Sequence, residues 1–397
     1  MRPVRAVHLG LGAFFRAHQA WYTDRAPDAD DWGIAAFTGR SATLAERLRA
    51  QDCAYTLVTR APDGPTYERI GSLAAVHAAS EQEAWLHHLS RPEVAVVTIT
   101  VTEAGYGTDP AGAPARLVAG LAARRAAGTG ALSLVPCDNL PHNGEVLRAA
   151  VRELATEPGL ASWIDDHVDF VTTMVDRITP ATTDADRAEV REATGFDDLA
   201  PVVTEPYSEW VLSGAFPAGR PAWDATFVDD VAPYEQRKLW LLNGAHSLLA
   251  YAGLLRGHET VEQAIGDPVL HGWVEEWWDE ASRRLPQDPA ETRAYRAALL
   301  ERFANPAIRH LLTQIAMDGP QKIPARILPS LRAERAAGRL PTGSTRVLAA
   351  WAPHHTPGPA EVAIDRALDL VAPDLRDDAE LRDAAVALAA GGFEARR

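Results

Sequence analysis

One short segment of the chain gathers polar residues that could carry out proton chemistry. It reads YEQRKLWLLNGAH, from Tyr234 to His246, and it contains one of only two lysines (Lys238 and Lys322) among 39 Lys plus Arg. Arginine keeps its proton at accessible pH, whereas a lysine withdrawn from water can lose it. Lys238 is therefore a candidate general base, with chance as the alternative explanation of so few lysines.

After its first turn, the stretch up to Tyr251 is apolar on nearly every face, which predicts a largely buried helix. Glu235, Lys238, Asn243 and His246 are its polar residues, and at about 100° per residue they fall within an arc of roughly 140°. Polar groups in a buried helix need partners or a water-filled cavity, so four on one side favour a site.

The residue types in this arc suit general-base chemistry at a substrate oxygen. Burial would lower the pKa of Lys238 toward neutrality, which suits a general base. Asn243 offers an amide donor that can stabilise a developing alkoxide, and His246 could orient the substrate or the lysine. Cys53 and Cys137 are far apart, and no carboxylate pair or His cluster accompanies the segment, so we expect metal-independent chemistry.

A second group of residues indicates a dinucleotide. The segment HLGLGAFFRAHQ places Gly10 and Gly12 directly after an apolar run, where glycines allow a tight turn and close approach of a pyrophosphate to a helix N-terminus. Phe15 replaces the third glycine of the G-x-G-x-x-G pattern. We predict cofactor contacts at Gly10, Gly12, Phe14 and Arg16, although an arginine at a helix start can equally be an ordinary surface residue.

The end of the second predicted strand bears on the choice between NAD and NADP. No acidic residue stands there to bind the ribose hydroxyls; the chain reads FTGRSAT instead. Arg40 with Ser41 suits a 2′-phosphate, but the same residues would also make a solvated turn that begins the next helix. The cofactor prediction is therefore NAD or NADP.

The elements that must position these residues form two domains. Strand-like segments (VRAVHL from Val4 to Leu9, WGIAAFTG, EVAVVTITVTE and GALSLVPCDN) alternate with helical stretches such as Ala42 to Arg49 and Ala115 to Ala126. This alternation predicts an α/β domain with a parallel, Rossmann-like sheet over residues 1–230. Residues 231–397 are dominated by Ala, Leu, Arg and Glu and should be mostly α-helical, whereas EPYSEWVLSGAFPAGRPAW reads as an irregular connection.

Composition excludes several classes of partner. The net charge of −15 argues against binding to nucleic acid or to an anionic membrane, so an anionic substrate would need a local basic pocket. The N-terminus does not resemble a signal peptide, and no run of 18 apolar residues exists. We therefore expect a cytoplasmic protein that acts on a small molecule.

Several long blocks resemble the polyol-specific long-chain dehydrogenases, the family of mannitol 2-dehydrogenase and fructuronate reductase (D-mannonate oxidoreductase). They are VHLGLGAFFRAHQAWYTD, TVTEAGY, CDNLPHNG, MVDRITPATT, EPYSEWV, the lysine segment, LLERFANPAIRH and IAMDGPQKIPARIL. The resemblance implies a nicotinamide-dependent alcohol dehydrogenase with a Rossmann-like N-terminal domain and a helical C-terminal domain.

The resemblance also implies roles for individual residues. Lys238 becomes the general base, Asn243 and Asn139 the pair that stabilises the oxyanion, and His246 a substrate-positioning residue. Glu235 resembles the glutamate that exchanges protons near the base, and Asp176 of MVDR matches a substrate-site position. Family members often have His at the position of Phe15 and are usually longer, mostly after Arg332.

The motif QKIPAR bears on the substrate and resembles the fructuronate reductase side of the family. Lys322 and Arg326, four residues apart, would supply the counter-charge for the carboxylate of a hexuronate if a helix starts here. Pro324 leaves that geometry open, and a solvated cationic face is the alternative. We expect D-mannonate and D-fructuronate, with mannitol and fructose or another polyol as the alternative.

Two further interpretations remain. Trp273, Trp277 and Trp278 could form an aromatic sugar platform, but their helical spacing favours core packing. A non-catalytic dinucleotide-binding protein would be expected to lose Lys238 or Asn243, and both are present.

Overall fold

The structure, a computed structural model, describes residues 2–39, 41–101, 103–107, 109, 112–391 and 393. It separates into two compact units, residues 1–232 and 233–397. The strands are β1 Val4–Leu9, β2 Gly33–Phe37, β3 Tyr55–Ala61, β4 Gly64–Ile70, β5 Leu73–His77, β6 Val96–Ile99, β7 Leu132–Pro136, β8 Val168–Phe170, β9 Thr172–Asp176, β10 Val202–Thr204, β11 Glu209–Ser213 and β12 Thr226–Phe227.

The α-helices are α1 Ala13–Ala17, α2 Gln19–Asp24, α3 Thr43–Arg49, α4 Gln82–Leu89, α5 Ala113–Ala126, α6 Asn143–Leu154, α7 Leu160–His167, α8 Asp184–Thr194, α9 Ala232–Arg237, α10 Gly244–Leu255, α11 Val261–Gly266, α12 Pro268–Ser282, α13 Pro289–Phe303, α14 Leu312–Ile315, α15 Gly319–Arg326, α16 Leu328–Ala336, α17 Thr342–His355, α18 Ala360–Val371 and α19 Ala379–Gly391. Short 3₁₀ turns cover Ala29–Asp31, Glu103–Tyr106 and Pro373–Leu375, and a π-helical segment covers Lys238–Asn243.

The first unit is built on a six-stranded sheet in the order β5-β2-β1-β6-β7-β8. Every neighbouring pair in it is parallel, which confirms the predicted Rossmann-like architecture. Alternate residues of β1 enter different cores: Ala6 packs in one apolar cluster, whereas Val7 and Leu9 pack in another. Both faces of the sheet are therefore covered, as the continuous apolar strands require.

Two three-stranded sheets complete this unit, in the orders β10-β3-β4 and β12-β11-β9. The prediction of an irregular connection over EPYSEWVLSGAFPAGRPAW is wrong for residues Glu209–Ser213, which pair antiparallel with β9. A run of three buried apolar residues, Trp210 to Leu212, was present in the sequence, but the flanking Pro and Gly obscured it.

The second unit is helical throughout its described elements, as predicted. Its core is a single apolar cluster that includes Leu248, Trp277, Trp278 and Trp351, all 0–1% exposed. Helix α17 continues through Pro353 to His355. Burial of the preceding residues up to Ala352 outweighs the hydrogen bond that Pro353 removes. Within the described residues, no helix combines the length and apolar character needed to cross a membrane.

Candidate active site

The lysine segment forms one continuous helical run in the second unit, but its middle is not α-helical. Helix α9 ends at Arg237, the π-helical segment Lys238–Asn243 follows, and α10 begins at Gly244. The predicted uniform spacing of 100° per residue is therefore wrong between Lys238 and Asn243. In a π-helix the backbone hydrogen bonds join residues five apart, so Lys238 and Asn243 lie one helical turn apart.

Lys238 is buried, with 9% of its surface exposed. Leu241 and Leu242 beside it are also buried, and Glu235 lies half-buried one turn earlier. The helix thus removes the Lys238 ammonium from bulk water, which is the condition under which a lysine becomes a usable base.

His246 lies on the same helix, 6% exposed, between two aromatic side chains. Its ring centroid is 4.7 Å from that of Phe303 and 5.0 Å from that of His310. Burial, followed by the positive charges of nearby basic groups, holds the pKa of His246 well below 6.5. Its Nε2 atom is buried and has no hydrogen-bond partner among the described residues, so the neutral ring has one nitrogen available to a substrate hydroxyl.

The basic groups that act on His246 define a cationic cluster, which comprises Lys238, Arg302, His310 and Arg326. Burial lowers the pKa of His310 to about 4, so at neutral pH the permanent positive charges of the cluster are those of Arg302 and Arg326. The sequence prediction included Lys238 and Arg326 but missed Arg302 and His310. The block LLERFANPAIRH carries both residues, and it was noted only as part of the family resemblance.

Arg326 is anchored on the lysine helix, which is the continuous helical run of α9, the π-helical segment Lys238–Asn243 and α10. Its guanidinium donates to the Asn243 carbonyl oxygen at 3.4 Å and to Ser247 Oγ at 3.2 Å. The Ser247 hydroxyl in turn donates to the Asn243 carbonyl at 3.1 Å. These contacts fix Arg326 beside the predicted catalytic residues of this unit.

Lys322 lies four residues earlier on α15 and is engaged differently. Its ammonium donates to the carbonyl oxygens of Ile315 at 3.2 Å and Met317 at 2.6 Å. It also lies 4.0 Å from the Asp318 carboxylate. The structure therefore places Lys322 on backbone carbonyls at the end of α14, and its predicted contact with a substrate carboxylate stays a prediction.

In the first unit, the glycine turn follows β1. Gly10 has φ +111°, and a Cβ there would collide with the Thr100 carbonyl oxygen. The amides of Gly10 and Leu11 donate to the Phe37 carbonyl at 3.0 and 2.8 Å. Gly12 is the N-cap of α1, so the turn leads directly into a helix N-terminus at the carboxyl edge of the sheet. This arrangement fits a dinucleotide pyrophosphate.

The other predicted cofactor contacts of this turn are Phe14 and Arg16, which flank Phe15 in the chain. Phe15 stacks on His8, with ring centroids 3.4 Å apart, and Phe14 stacks on His18 at 5.0 Å. The Arg16 guanidinium is buried and donates to the carbonyls of Gly12, at 3.1 Å, and Ala200. Arg16 therefore stabilises the turn through backbone carbonyl groups, and its contact with a cofactor phosphate stays a prediction.

The residues predicted to meet the ribose follow β2. Arg40 lies outside the described residues. Ser41 is exposed, and its hydroxyl donates to Thr43 Oγ1 at 3.0 Å while accepting the Thr43 amide at 3.2 Å. This Ser41 hydroxyl thus helps to begin α3, and it remains accessible.

Asn139 and Asp176 also belong to the first unit. Asn139 is exposed, three residues beyond β7, at the sheet edge where parallel α/β folds bind ligands. Its neighbour Asp138 accepts hydrogen bonds from the Tyr106 hydroxyl and, at 3.1 Å, from the Leu140 amide. Asp176 ends β9 opposite Glu209 and is only 3% exposed.

A metal centre was not predicted, and the described residues contain no group of three His, Cys, Asp or Glu side chains placed to hold a metal ion. The two cysteines, Cys53 and Cys137, are free thiols. Burial raises the pKa of Cys137 above its ordinary value, so this thiol stays protonated.

Comparisons with known proteins agree on one family. A model described as the mannitol dehydrogenase Rossmann domain matches residues 4–225, and one described as the mannitol dehydrogenase C-terminal domain matches residues 230–388. D-mannonate oxidoreductase of Escherichia coli strain K12 is 38% identical, over 83% of this chain and 75% of that protein. D-arabinitol 4-dehydrogenase of Ralstonia nicotianae is also 38% identical, over 87% and 81%.

Among solved structures, the ternary complex of Pseudomonas fluorescens mannitol 2-dehydrogenase with NAD and D-mannitol superposes with a TM-score of 0.86 at 32% identity. The match covers 98% of this chain and 91% of that one.

Proposed function

The chain belongs to the mannitol dehydrogenase family, and we propose that it interconverts D-mannonate and D-fructuronate. It is an oxidoreductase that acts on a secondary alcohol of a polyol or sugar acid with a nicotinamide dinucleotide as cofactor. In oxidation, the secondary alcohol and NAD(P)⁺ give the ketone, NAD(P)H and a proton.

Each proposed catalytic residue has one task. Lys238 accepts the proton of the substrate hydroxyl, and the buried position of its ammonium group favours the neutral amine that this step requires. The amide of Asn243 donates a hydrogen bond to the oxygen as negative charge develops on it, and the family resemblance gives Asn139 the same role. Neutral His246 holds a neighbouring hydroxyl through Nε2, and Glu235 passes the proton from Lys238 toward solvent.

The glycine turn provides the cofactor site. The backbone at Gly10 and Gly12, with the first amides of α1, would hold the pyrophosphate. A nicotinamide bound there would supply the hydride acceptor for oxidation and the hydride donor for reduction. Arg40 and Ser41 are proposed contacts of the adenosine ribose or its phosphate, so both NAD and NADP belong to the proposal.

The observation that carries the sugar-acid assignment is the presence of Arg302 and Arg326, the permanently charged members of the cationic cluster, near His246. The whole chain has a net charge of −15, and these basic residues are concentrated beside the proposed base. A mannonate carboxylate would meet a compensating field there, whereas neutral mannitol gains nothing from it. Arg326, already fixed on the lysine helix, is the proposed carboxylate contact, with Lys322 as the second residue proposed from the sequence.

Mannitol with fructose, or another polyol, is the second candidate, because relatives of similar identity are named for arabinitol and mannitol. A purified sample should be assayed by absorbance at 340 nm with D-mannonate, D-mannitol and D-arabinitol, each with NAD⁺ and NADP⁺. We expect kcat/KM to be highest for D-mannonate. Faster turnover of a neutral polyol would overturn the sugar-acid assignment, and no turnover of any substrate would favour a non-catalytic dinucleotide-binding protein.

A further inference from the structure

Two adjacent tryptophans on α12 hold the π-helical segment that carries the proposed base. The indole Nε1 of Trp277 donates to the Trp240 carbonyl at 2.9 Å, and that of Trp278 donates to the Leu241 carbonyl at 2.8 Å. Both acceptors lie inside the π-helical segment Lys238–Asn243. We propose that Trp277 and Trp278 are positioning residues that keep this segment in its π register and so set the spacing of Lys238 and Asn243.

The hydrogen bonding of a π segment explains why such donors are needed. Where a helix changes from i→i+5 bonds back to i→i+4 bonds, the partner of each carbonyl shifts by one residue, and a carbonyl at the junction is left without an amide. A buried carbonyl without a partner is costly. Trp240 and Leu241 lie in the second half of the segment, just before α10 resumes the α-helical pattern at Gly244. At that point the Trp277 indole donates to the Trp240 carbonyl, and the Trp278 indole donates to the Leu241 carbonyl, which also accepts the Gly244 amide.

The indoles are themselves fixed in place. Both side chains are 0% exposed, and the Trp277 ring lies so close to the lysine helix that a Cβ at Gly244 would be 2.6 Å from its Cζ2. On the other side, a Cβ at Gly343 would be 2.7 Å from the Trp277 Cα. Two glycines thus leave room for this tryptophan between α10 and α17.

Trp278 is also linked to the substrate-positioning histidine. Its ring centroid lies 6.3 Å from that of Phe303, which packs against His246 at 4.7 Å. The pair therefore contacts the backbone between the base and Asn243 and, through Phe303, the ring of His246. The sequence interpretation of these tryptophans as core packing is correct for their burial but omits their hydrogen bonds.

This inference rests on the proposed function, because it assigns Lys238 and Asn243 to catalysis. Loss of either indole N–H would let the segment relax toward the α register and move Asn243 away from its place above Lys238. Since a displacement of about 1 Å can lower a rate by about 100-fold, the effect should fall on turnover more than on substrate binding.

The test removes the indole N–H donors and keeps an aromatic ring at each position, with Trp277→Phe and Trp278→Phe as separate variants. The matched control is Trp85→Phe, because Trp85 in α4 of the first unit is equally buried and its indole donates to the Arg116 carbonyl of the same unit at 2.8 Å. Gly244→Ala is a further variant, since the added methyl group would push the Trp277 ring away while leaving its N–H intact. All variants are measured for thermal unfolding, kcat, KM, the pH profile of kcat/KM and amide hydrogen exchange of peptides that cover residues 238–247.

We expect Trp277→Phe, Trp278→Phe and Gly244→Ala to lower kcat about 10- to 100-fold, with KM changed less than threefold. These three variants should also shift the pH profile of kcat/KM and speed amide hydrogen exchange over residues 238–247. The control should lose thermal stability without these changes. Wild-type kcat and an unshifted pH profile in folded Trp278→Phe would overturn the inference. Full activity of Lys238→Ala would instead overturn the proposed function, so the two failures are distinguishable.

Discussion

At the scale of single residues, Lys238 and Lys322 have different environments, although the sequence interpretation singled out both because lysine is so rare in this chain. Lys238 is buried in the helix that also carries Asn243 and His246, whereas the Lys322 ammonium donates to two backbone carbonyls. Scarcity drew attention to both lysines, but it gives no information about the burial and the neighbours by which they differ.

Arg326 and Lys322 make a matched pair for testing the carboxylate contact. Arg326→Met should raise KM for D-mannonate at least tenfold and leave KM for D-mannitol nearly unchanged, because only the acid gains from the guanidinium. Steady-state kinetics of Lys322→Met on both substrates provides the comparison. Equal losses on the acid and the neutral polyol in Arg326→Met would show that the arginine supports the helix and not a substrate carboxylate.

The depressed pKa of His246 leads to a prediction about pH. A histidine whose pKa lies well below 6.5 is already neutral at pH 6 to 10, so it contributes no titration in that range. The acidic limb of the kcat/KM profile should therefore reflect protonation of Lys238, and His246→Gln should lower the rate while keeping the midpoint of the limb. A midpoint that moves by more than one pH unit in this variant would assign the limb to His246.

The residues missed by the sequence prediction show which kind of contact could not be predicted from the sequence. Arg302 and His310 lie more than 50 positions after Lys238 in the chain, and they reach His246 only because α13 and the residues that follow it pack against the lysine helix. Local spacing identifies residues that share one helix face. It does not identify partners that tertiary packing brings from another helix.

At the scale of elements, the sequence predicted the lysine helix but not its π segment. The helix is apolar on nearly all faces, so its pattern gives no information about the number of residues per turn. The π register depends on donors from Trp277 and Trp278, each 37 positions away from its acceptor. By contrast, β1, β2, β6 and β7 were predicted correctly, because short β-branched runs bounded by turns encode buried strands directly.

The glycine turn provides a prediction at this scale. Gly10→Ala should lower the free energy of unfolding by about 3 kcal/mol, since Gly10 combines positive φ with a collision at Thr100. Gly12→Ala is the control, because Gly12 has an extended backbone and its Cβ would lie 3.5 Å from the nearest atom. Urea denaturation of both variants measures the difference. A Gly10→Ala protein as stable as Gly12→Ala would contradict the geometry of this turn.

At the scale of the whole molecule, two descriptions of the chain agree on its division. Packing separates residues 1–232 from 233–397, and the two family models cover residues 4–225 and 230–388. The sequence prediction placed the boundary at residue 231, where β-branched runs fade. The proposed cofactor residues lie in the first unit, and the proposed base with its cationic cluster lies in the second.

The contrast between net charge and local charge predicts a salt effect. The chain as a whole repels an anion, whereas the cationic cluster attracts it at short range. Because salt screens charge over about 10 Å at 0.1 M, kcat/KM for D-mannonate should change several-fold between 0.02 and 0.5 M NaCl, while that for D-mannitol should not. Parallel titrations with both substrates measure this, and identical salt curves would remove the electrostatic basis for the sugar-acid assignment.

The central claim is that Lys238 is the general base, and turnover of Lys238→Ala measured beside Lys322→Ala tests it most directly. The two variants remove the same side chain from the only two positions where it occurs. With both proteins folded and saturated with cofactor and sugar acid at pH 8, we expect Lys238→Ala to lose at least 1,000-fold in kcat and Lys322→Ala to stay within tenfold of the wild type. Turnover by Lys238→Ala at a rate near that of the wild type would contradict the account.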